Sequence, residues 1–375
     1  MKKILKITGI IIGAFLIICM IIGIVITSHP NDFEYSVNHE TNTVTITGIA
    51  ESKRYKAYIE IPRKIKGYLV TSISEYAFKG NENILGVELP ETISYIGKGA
   101  FENCKNLESI SGLEKCSGLN IIENNIFKGC YELQTIKLPD SITSIGNSSF
   151  ELCYGLKELS IPNSVSYIGE KAFSNCQNIK KIKIPSGVTK IENETFIGCA
   201  SIKSIILPQG ITYIGIGAFD SCKKLDTLII PATVQIIEYG AFIRCYSLSS
   251  IDVDPENPVY TSIDGVLYNK DITELIAYPF GKSDKVFTIP EGVTTVLETT
   301  FAFNNTLDTI NIPSSVTTIG NFFLYLSSVR TINYGSTVAN WNKINKLGGL
   351  DVGDDFQTIH CTDAQIAKDG TVTYK

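Results

Sequence analysis

Apolar and polar positions alternate in short bursts along most of this chain, and the bursts return with a fixed period of 23 residues. In the unit Pro162 to Ile184, Ile179, Ile182 and Ile184 alternate with lysines, while Val165 and Ile168 bracket Ser166 and Tyr167. Alternation with β-branched side chains marks half-buried strands, so each unit is expected to hold two of them, over 179–184 and 165–169. The stretch through Ala172 and Phe173 reads as a tight bend. Proline lacks an amide donor and fixes φ, so Pro139, Pro162, Pro185, Pro208 and Pro231 mark corners where the chain turns instead of pairing. Phe127, Phe150, Phe173, Phe196, Phe219 and Phe242 keep the same interval, with Cys130, Cys153, Cys176, Cys199, Cys222 and Cys245 three residues behind them.

A fixed period of this length with Leu or Ile at set offsets is the signature of a solenoid, in which no unit buries its apolar face without a neighbour. Phe78, Phe101 and Phe301 extend the series, and Phe323 joins it if one residue is deleted. Parallel strands about 4.8 Å apart would then build a rod of about 45 to 50 Å with the phenylalanines stacked inside. Three extra residues separate Phe101 from Phe127, around Ser111 to Cys116, and are expected to bulge as a surface loop. A longer interruption lies between Phe242 and Phe301; Asp264-Gly265 between apolar residues is a hairpin signal, so this segment reads as a β-hairpin island within the stack. The ends are atypical, as solenoid ends must be when they seal an apolar cross-section. Runs over 43–46 and 58–61 precede the first coil, and Trp341, the only tryptophan, is the expected plug of the far cap.

The phrases Ile-Pro-x-x-Val-Thr-x-Ile-Gly and Ala-Phe-x-x-Cys-x-x-Leu, the island from Ser262 to Asp271 with Leu275 to Pro279, and Tyr334 to Trp341 resemble the BspA-type leucine-rich repeat surface proteins. The resemblance runs from about Ile61 to Cys361. It implies a bacterial or protist surface protein that adheres to host or microbial macromolecules. Departures are Glu192, Glu238 and Leu297 in place of Gly, Asn304 and Leu326 in the Cys position, and no cell-wall sorting signal. The fold class is thus a β-rich leucine-rich repeat solenoid of parallel sheet in 23-residue coils, joined to an N-terminal single transmembrane helix.

That helix rests on 21 uncharged, mostly apolar residues from Ile7 through Phe15 to Thr27, enough to cross a bilayer. Lys2, Lys3 and Lys6 before it and Asp32 and Glu34 beyond it place the N-terminus inside and the repeats outside. Cleavage near Ser28 would secrete the protein instead, but no small-x-small site is evident. Cys19 lacks the preceding small residue that lipoprotein processing needs. The expected organisation is a cytoplasmic stub over 1–6, membrane anchor 7–27, juxtamembrane linker 28–36, N-terminal cap and first irregular coil 37–88, repeats 89–251, island 252–289, repeats 290–335 and C-terminal cap 336–375.

Ten cysteines in an exported chain raise the question of disulfides. Cys104 and the six periodic cysteines share one position of the repeat, which points them into the core as small apolar fillers; free thiols are the expected state, although the spacing of adjacent coils does not forbid pairing. No Cys-x-x-Cys is present and His29, His39 and His360 are scattered, so no metal is expected. His360 and Cys361 are sequence neighbours, which face opposite ways on a strand. With no hydrolase, metalloprotease or phosphate-loop motif either, neither catalysis nor a cofactor is expected; the glycines instead follow Ile at the corners of coils, where a positive φ is useful. Outside the first 27 residues 30 basic residues meet 38 acidic ones, a net charge of −8 that disfavours nucleic acid.

The outward positions of the strand face remain. They present Lys137, Lys157, Lys180, Lys181, Lys183 and Lys203 as a basic stripe with Ile206 and Ile229 as exposed anchors. Such a stripe suits an acidic macromolecule, and lysines there also discourage aggregation. Tyr95, Tyr167 and Tyr213 form a second outward set. The expected function is a membrane-anchored extracellular module that binds protein or glycan; the alternative is an envelope component or coreceptor that assembles with other membrane proteins.

Overall fold

The computed structural model describes residues 29–375 except Gly349 and Asp351. The expected membrane helix, with Ile7, Phe15 and Thr27, lies outside the described residues. Among the described residues no helix is long and apolar enough to cross a membrane.

Each unit contributes two short parallel strands, as its alternation predicts. In the unit containing Phe196 these are Lys190–Ile191 and Ser204–Ile206, and both pair in parallel register with the units on either side or one of them: Lys190 with Tyr213, Ser204 with Lys181 and Thr227. The proline corners are hydrogen-bonded turns, in which the amides of Ile142, Val165, Val188, Ile211 and Val234 donate to Pro139, Pro162, Pro185, Pro208 and Pro231. The bend carries a backbone ladder of its own, since the amide of Phe150 donates to the carbonyl of Ala172 and that of Phe196 to Ala218. The two strands and the bend therefore satisfy backbone groups on neighbouring coils, and the corners do so within their own coil.

From Phe78 to Phe242 the rings stack in one column, with centroids 5.2 to 6.1 Å apart. Behind them each thiol of the cysteine position donates to the carbonyl of the preceding unit's phenylalanine, as Cys153 does to Phe127 at 3.2 Å and Cys199 to Phe173 at 3.1 Å. All nine described cysteines are free and buried. Burial pushes the Cys104 and Cys199 thiols from the ordinary 9.0 up to about 12. An unfolded thiol ionises near pH 9 while its folded counterpart stays protonated, so stability held below that pH drains away as pH rises to about 12. Urea titrations across this window should show a falling midpoint, with a shallower fall in Cys199→Ala.

Five expectations need correction. The span 28–36 is no linker: Phe33–Asn38 pairs antiparallel with Thr43–Ile49, Phe33 is buried, and the buried Asp32 carboxylate meets Lys56 at 2.6 Å. The insertion after Ser111 does not bulge outward. It forms a 3₁₀ turn, Leu113–Lys115, that buries Leu113 and Cys116, because apolar residues three apart face the same side of so tight a turn. The glycines after Ile do not supply positive φ. The left-handed residues flank each phenylalanine two positions away, as Lys171 (φ 57°) and Asn175 (φ 58°) flank Phe173. The glycines answer a close approach instead: a Cβ on Gly146 would lie 2.7 Å from the Asn124 amide nitrogen of the coil below.

The remaining two corrections concern the last regular coil. Phe323 does not occupy the phenylalanine position after a deletion. Phe301 donates its amide to the Phe323 carbonyl, the role Ala172 has toward Phe150, so Leu324 sits in the phenylalanine position and keeps the 23-residue interval. Accordingly Phe323 meets Phe301 edge-on, at 88°, instead of stacking. Leu326 is then not in the cysteine position; it is exposed with φ 51°, and the buried Ser327 takes that place.

Asp264 and Gly265, at φ 49° and 74°, turn the hairpin of Tyr260–Ile263 and Val266–Asn269. Positive φ at both central residues matches the right-handed twist of the strands. The second of these strands divides the interior. Leu267 packs into the core of the preceding coils, whereas Val266 and Tyr268 pack into the core that follows. At the far end Trp341, buried in the short helix Val338–Trp341, lies against Tyr334 at 5.3 Å, and the antiparallel strands Ala364–Ala367 and Val372–Tyr374 close the edge after Thr358–His360.

Candidate functional site: two exposed strand faces

The three-residue strands of the regular coils between Ser109 and Ile206 bury only their central side chain. Ile182 and Ile205 point inward while Lys181, Lys183, Ser204 and Ile206 face solvent. Parallel register then fixes the columns of the face. Lys183 lies beside Ile206, and Ile229 beside Asp252; the pairing of Ser204 with Thr227 carries Ile206 alongside Ile229. The result is a row from cation through two exposed isoleucines, at 79% and 64% exposure, to a carboxylate. Lys180 and Lys203 border it on the side where the chain enters the strands, and both are exposed.

Lys137 and Lys157 belong to another stretch of ladder, where Lys137 lies beside Ser160 and Lys157 reaches Gln134 at 3.4 Å. The ladders run from Tyr58–Glu60 to Glu158–Ser160 and from Lys181–Lys183 to Ser250–Val253, so the eight residues fall into a pair and a group of six. None of the six lysines is ion-paired among the described residues, whereas Lys105, Lys128 and Lys171 elsewhere on the coils pair with Glu82, Glu151 and Glu194. At the start of the face Glu60 lies beside Glu88; burial first, and the neighbouring carboxylate second, raise the Glu60 carboxyl above its ordinary range.

The short strands build a second face of opposite character. Tyr95, Ile121, Tyr167 and Ile236 are exposed there and Tyr213 is half-buried; Ile121 and Tyr167 flank Ser144, and Tyr213 lies between Lys190 and Ile236. Carboxylates fringe it. Burial, and then Glu192 and Glu170, raise the Tyr167 hydroxyl above its ordinary value, and burial, followed by Glu238, Glu192 and Glu170, does the same for Tyr213. The tyrosines are visible in the sequence as aromatics, whereas Ile121 and Ile236 each precede another isoleucine; the 23-residue period, which puts Ile122 and Ile237 in the place of Ile145 and Ile168, is the signal that turns the first of each pair outward. Among the described residues no group of three His, Cys, Asp or Glu side chains is placed to hold a metal.

BspA type leucine rich repeat region, in six copies, matches residues 71–203, 145–270 and 259–344, and this chain belongs to that family. A leucine rich cell surface protein from Faecalibacterium prausnitzii is similar in structure, with a TM-score of 0.57 and 23% identity over 87% of this chain and 99% of its own. A leucine-rich repeat protein from Bacteroides ovatus is also similar, with a TM-score of 0.56 and 26% identity over 88% of this chain and 77% of its own. No curated protein matches the chain.

Proposed function

We propose that this protein is a non-catalytic binding module of the cell surface, held at the membrane by residues 7–27, which engages a protein partner through the long-strand face. The observation that carries the reading is the block of lysines Lys180, Lys181, Lys183 and Lys203, none ion-paired among the described residues, on one side of exposed Ile206 and Ile229, with Asp252 on the other. Solvated cations on one side of an apolar pair fit a partner that presents an acidic group beside an apolar residue: the charges govern encounter and register, and the isoleucines supply the desolvated centre. The acidic, tyrosine-bearing face on the short strands supports a second reading, in which the chain assembles with envelope proteins through two surfaces at once.

The test is capture of extracellular-matrix proteins, and separately of the producing cell's own surface proteins, by wild type and by the double variant Lys181→Glu, Lys183→Glu. Both positions are exposed, so the fold should persist, and capture should fall about tenfold or more while losing its salt dependence. Equal capture by the two proteins removes the long-strand face from the function. Partners drawn only from the cell's own envelope favour scaffolding over adhesion, and retention on protein-free glycans assigns a glycan partner. Carbonate extraction tests the anchor: a protein held by residues 7–27 stays with the membranes.

A further inference from the structure

The phenylalanine column stops at Phe242, which stacks on Phe219 at 6.1 Å. The next ring of the series, Phe301, packs instead against Tyr278 at 5.3 Å and Phe287 at 5.8 Å. Where another ring would have continued the stack lies a cavity of about 260 Å³, walled by Phe242, Tyr278, Phe280, Ile251 and Ile276. A cavity of about 150 Å³ holds a benzene ring, so this one has room for a ring and a short substituent.

The cavity's polar lining has one sign of charge. Glu238 and Glu298 line it, both half-buried, and neither is ion-paired among the described residues. Nearby donors are engaged elsewhere. The Arg244 guanidinium grips Asp220, with Nε 2.9 Å from Oδ1, and the Tyr278 hydroxyl donates to Asp284 at 3.0 Å. The Thr300 hydroxyl donates to the Leu297 carbonyl at 2.6 Å. Glu238 also lies within hydrogen-bonding reach of the Tyr213 hydroxyl, a neutral donor that leaves its charge in place, and continues the fringe of carboxylates around that ring, which deepens the negative potential.

We propose that this cavity is a binding site for a small aromatic cation, a single ring bearing a short ammonium arm. The ring fills the gap in the column against Phe242, Tyr278 and Phe280, and the ammonium group meets Glu238 and Glu298, where aromatic faces and carboxylates favour the same charge. The site is separate from the long-strand face, so the binding function and this one stand or fall independently.

Titration calorimetry of the full-length chain tests the assignment, with 2-phenylethylamine as the probe and phenylacetate, toluene and ethylamine as comparisons. The amine should bind saturably at one site, phenylacetate at least about tenfold more weakly, and ethylamine, which has no ring, not detectably. Ala277→Phe, which fills the cavity from its wall, should abolish binding. Glu298→Gln keeps the shape and should weaken the amine about five- to tenfold while leaving toluene unchanged. The proposal is overturned by absence of saturable amine binding to wild type, by equal affinity for phenylacetate, or by undiminished binding to folded Ala277→Phe; should that variant not fold, an unchanged amine affinity in Glu298→Gln overturns it.

Discussion

Replacing Phe196 by alanine is expected to lower the unfolding free energy by about 3 to 5 kcal/mol, the usual cost of deleting a buried ring whose surroundings relax only in part. The ring is fully buried between Phe173 at 5.6 Å and Phe219 at 5.7 Å, nearly parallel to both, so truncation strips packing from two coils as well as its own. Phe242→Ala provides the contrast. Its ring stacks on one neighbour only and borders a cavity, so its loss should cost markedly less. Urea unfolding of the two variants beside wild type decides the matter: equal losses would mean that the column acts as independent buried groups and not as a stack.

Gly146→Ala should destabilise the chain by about 1 to 3 kcal/mol, the range for forcing an extra methyl into a filled space. Its Cβ would stand 2.6 Å from the Asn124 side-chain oxygen and 2.7 Å from the Asn124 amide nitrogen. That side chain has a task, accepting the Asn147 amide at 2.7 Å, and Asn147 and Asn193 repeat it toward Glu170 and Ile216. Glycine follows in the next coil where such an asparagine stands, at Gly146, Gly169 and Gly215, and Glu192 and Glu238 succeed coils that carry Glu170 and Ile216 there; Gly97 and Gly320, however, follow Glu75 and Glu298, whose backbone nitrogens a Cβ would meet at 2.4 and 2.3 Å. Because the backbone nitrogen remains in the way, pairing Gly146→Ala with Asn124→Ala should restore only part of the loss. Full restoration by the pair would show that the side-chain contact alone demands glycine.

The regular interior of the fold was legible because its cause is local and repeated: period, strand alternation, proline corners and phenylalanine column each follow from one unit copied many times. What the sequence hid depended on the neighbouring coil. The purpose of Gly146 is the backbone beneath it, and the place of Phe323 is set by which carbonyl faces Phe301, for which an aromatic one residue from the expected position is a false guide. Leu113 and Cys116 looked like part of a loop because an insertion was equated with exposure, although their own apolar character already argued for burial. On the candidate face the outward direction of Lys181, Lys183, Ile206 and Ile229 was readable from alternation alone. The cavity was not, since it arises where a coil is missing and no residue of the pattern marks empty space.

Coils that touch only their nearest neighbours can fray one after another from an end. Val266–Asn269 interrupts that zipper: Leu267 is anchored in one half of the rod, Val266 and Tyr268 in the other, and the strand crosses against the direction of its partners. Pulled by its ends or nicked by a protease, the molecule should come apart in two instalments, with the hairpin as the tear-stop between them.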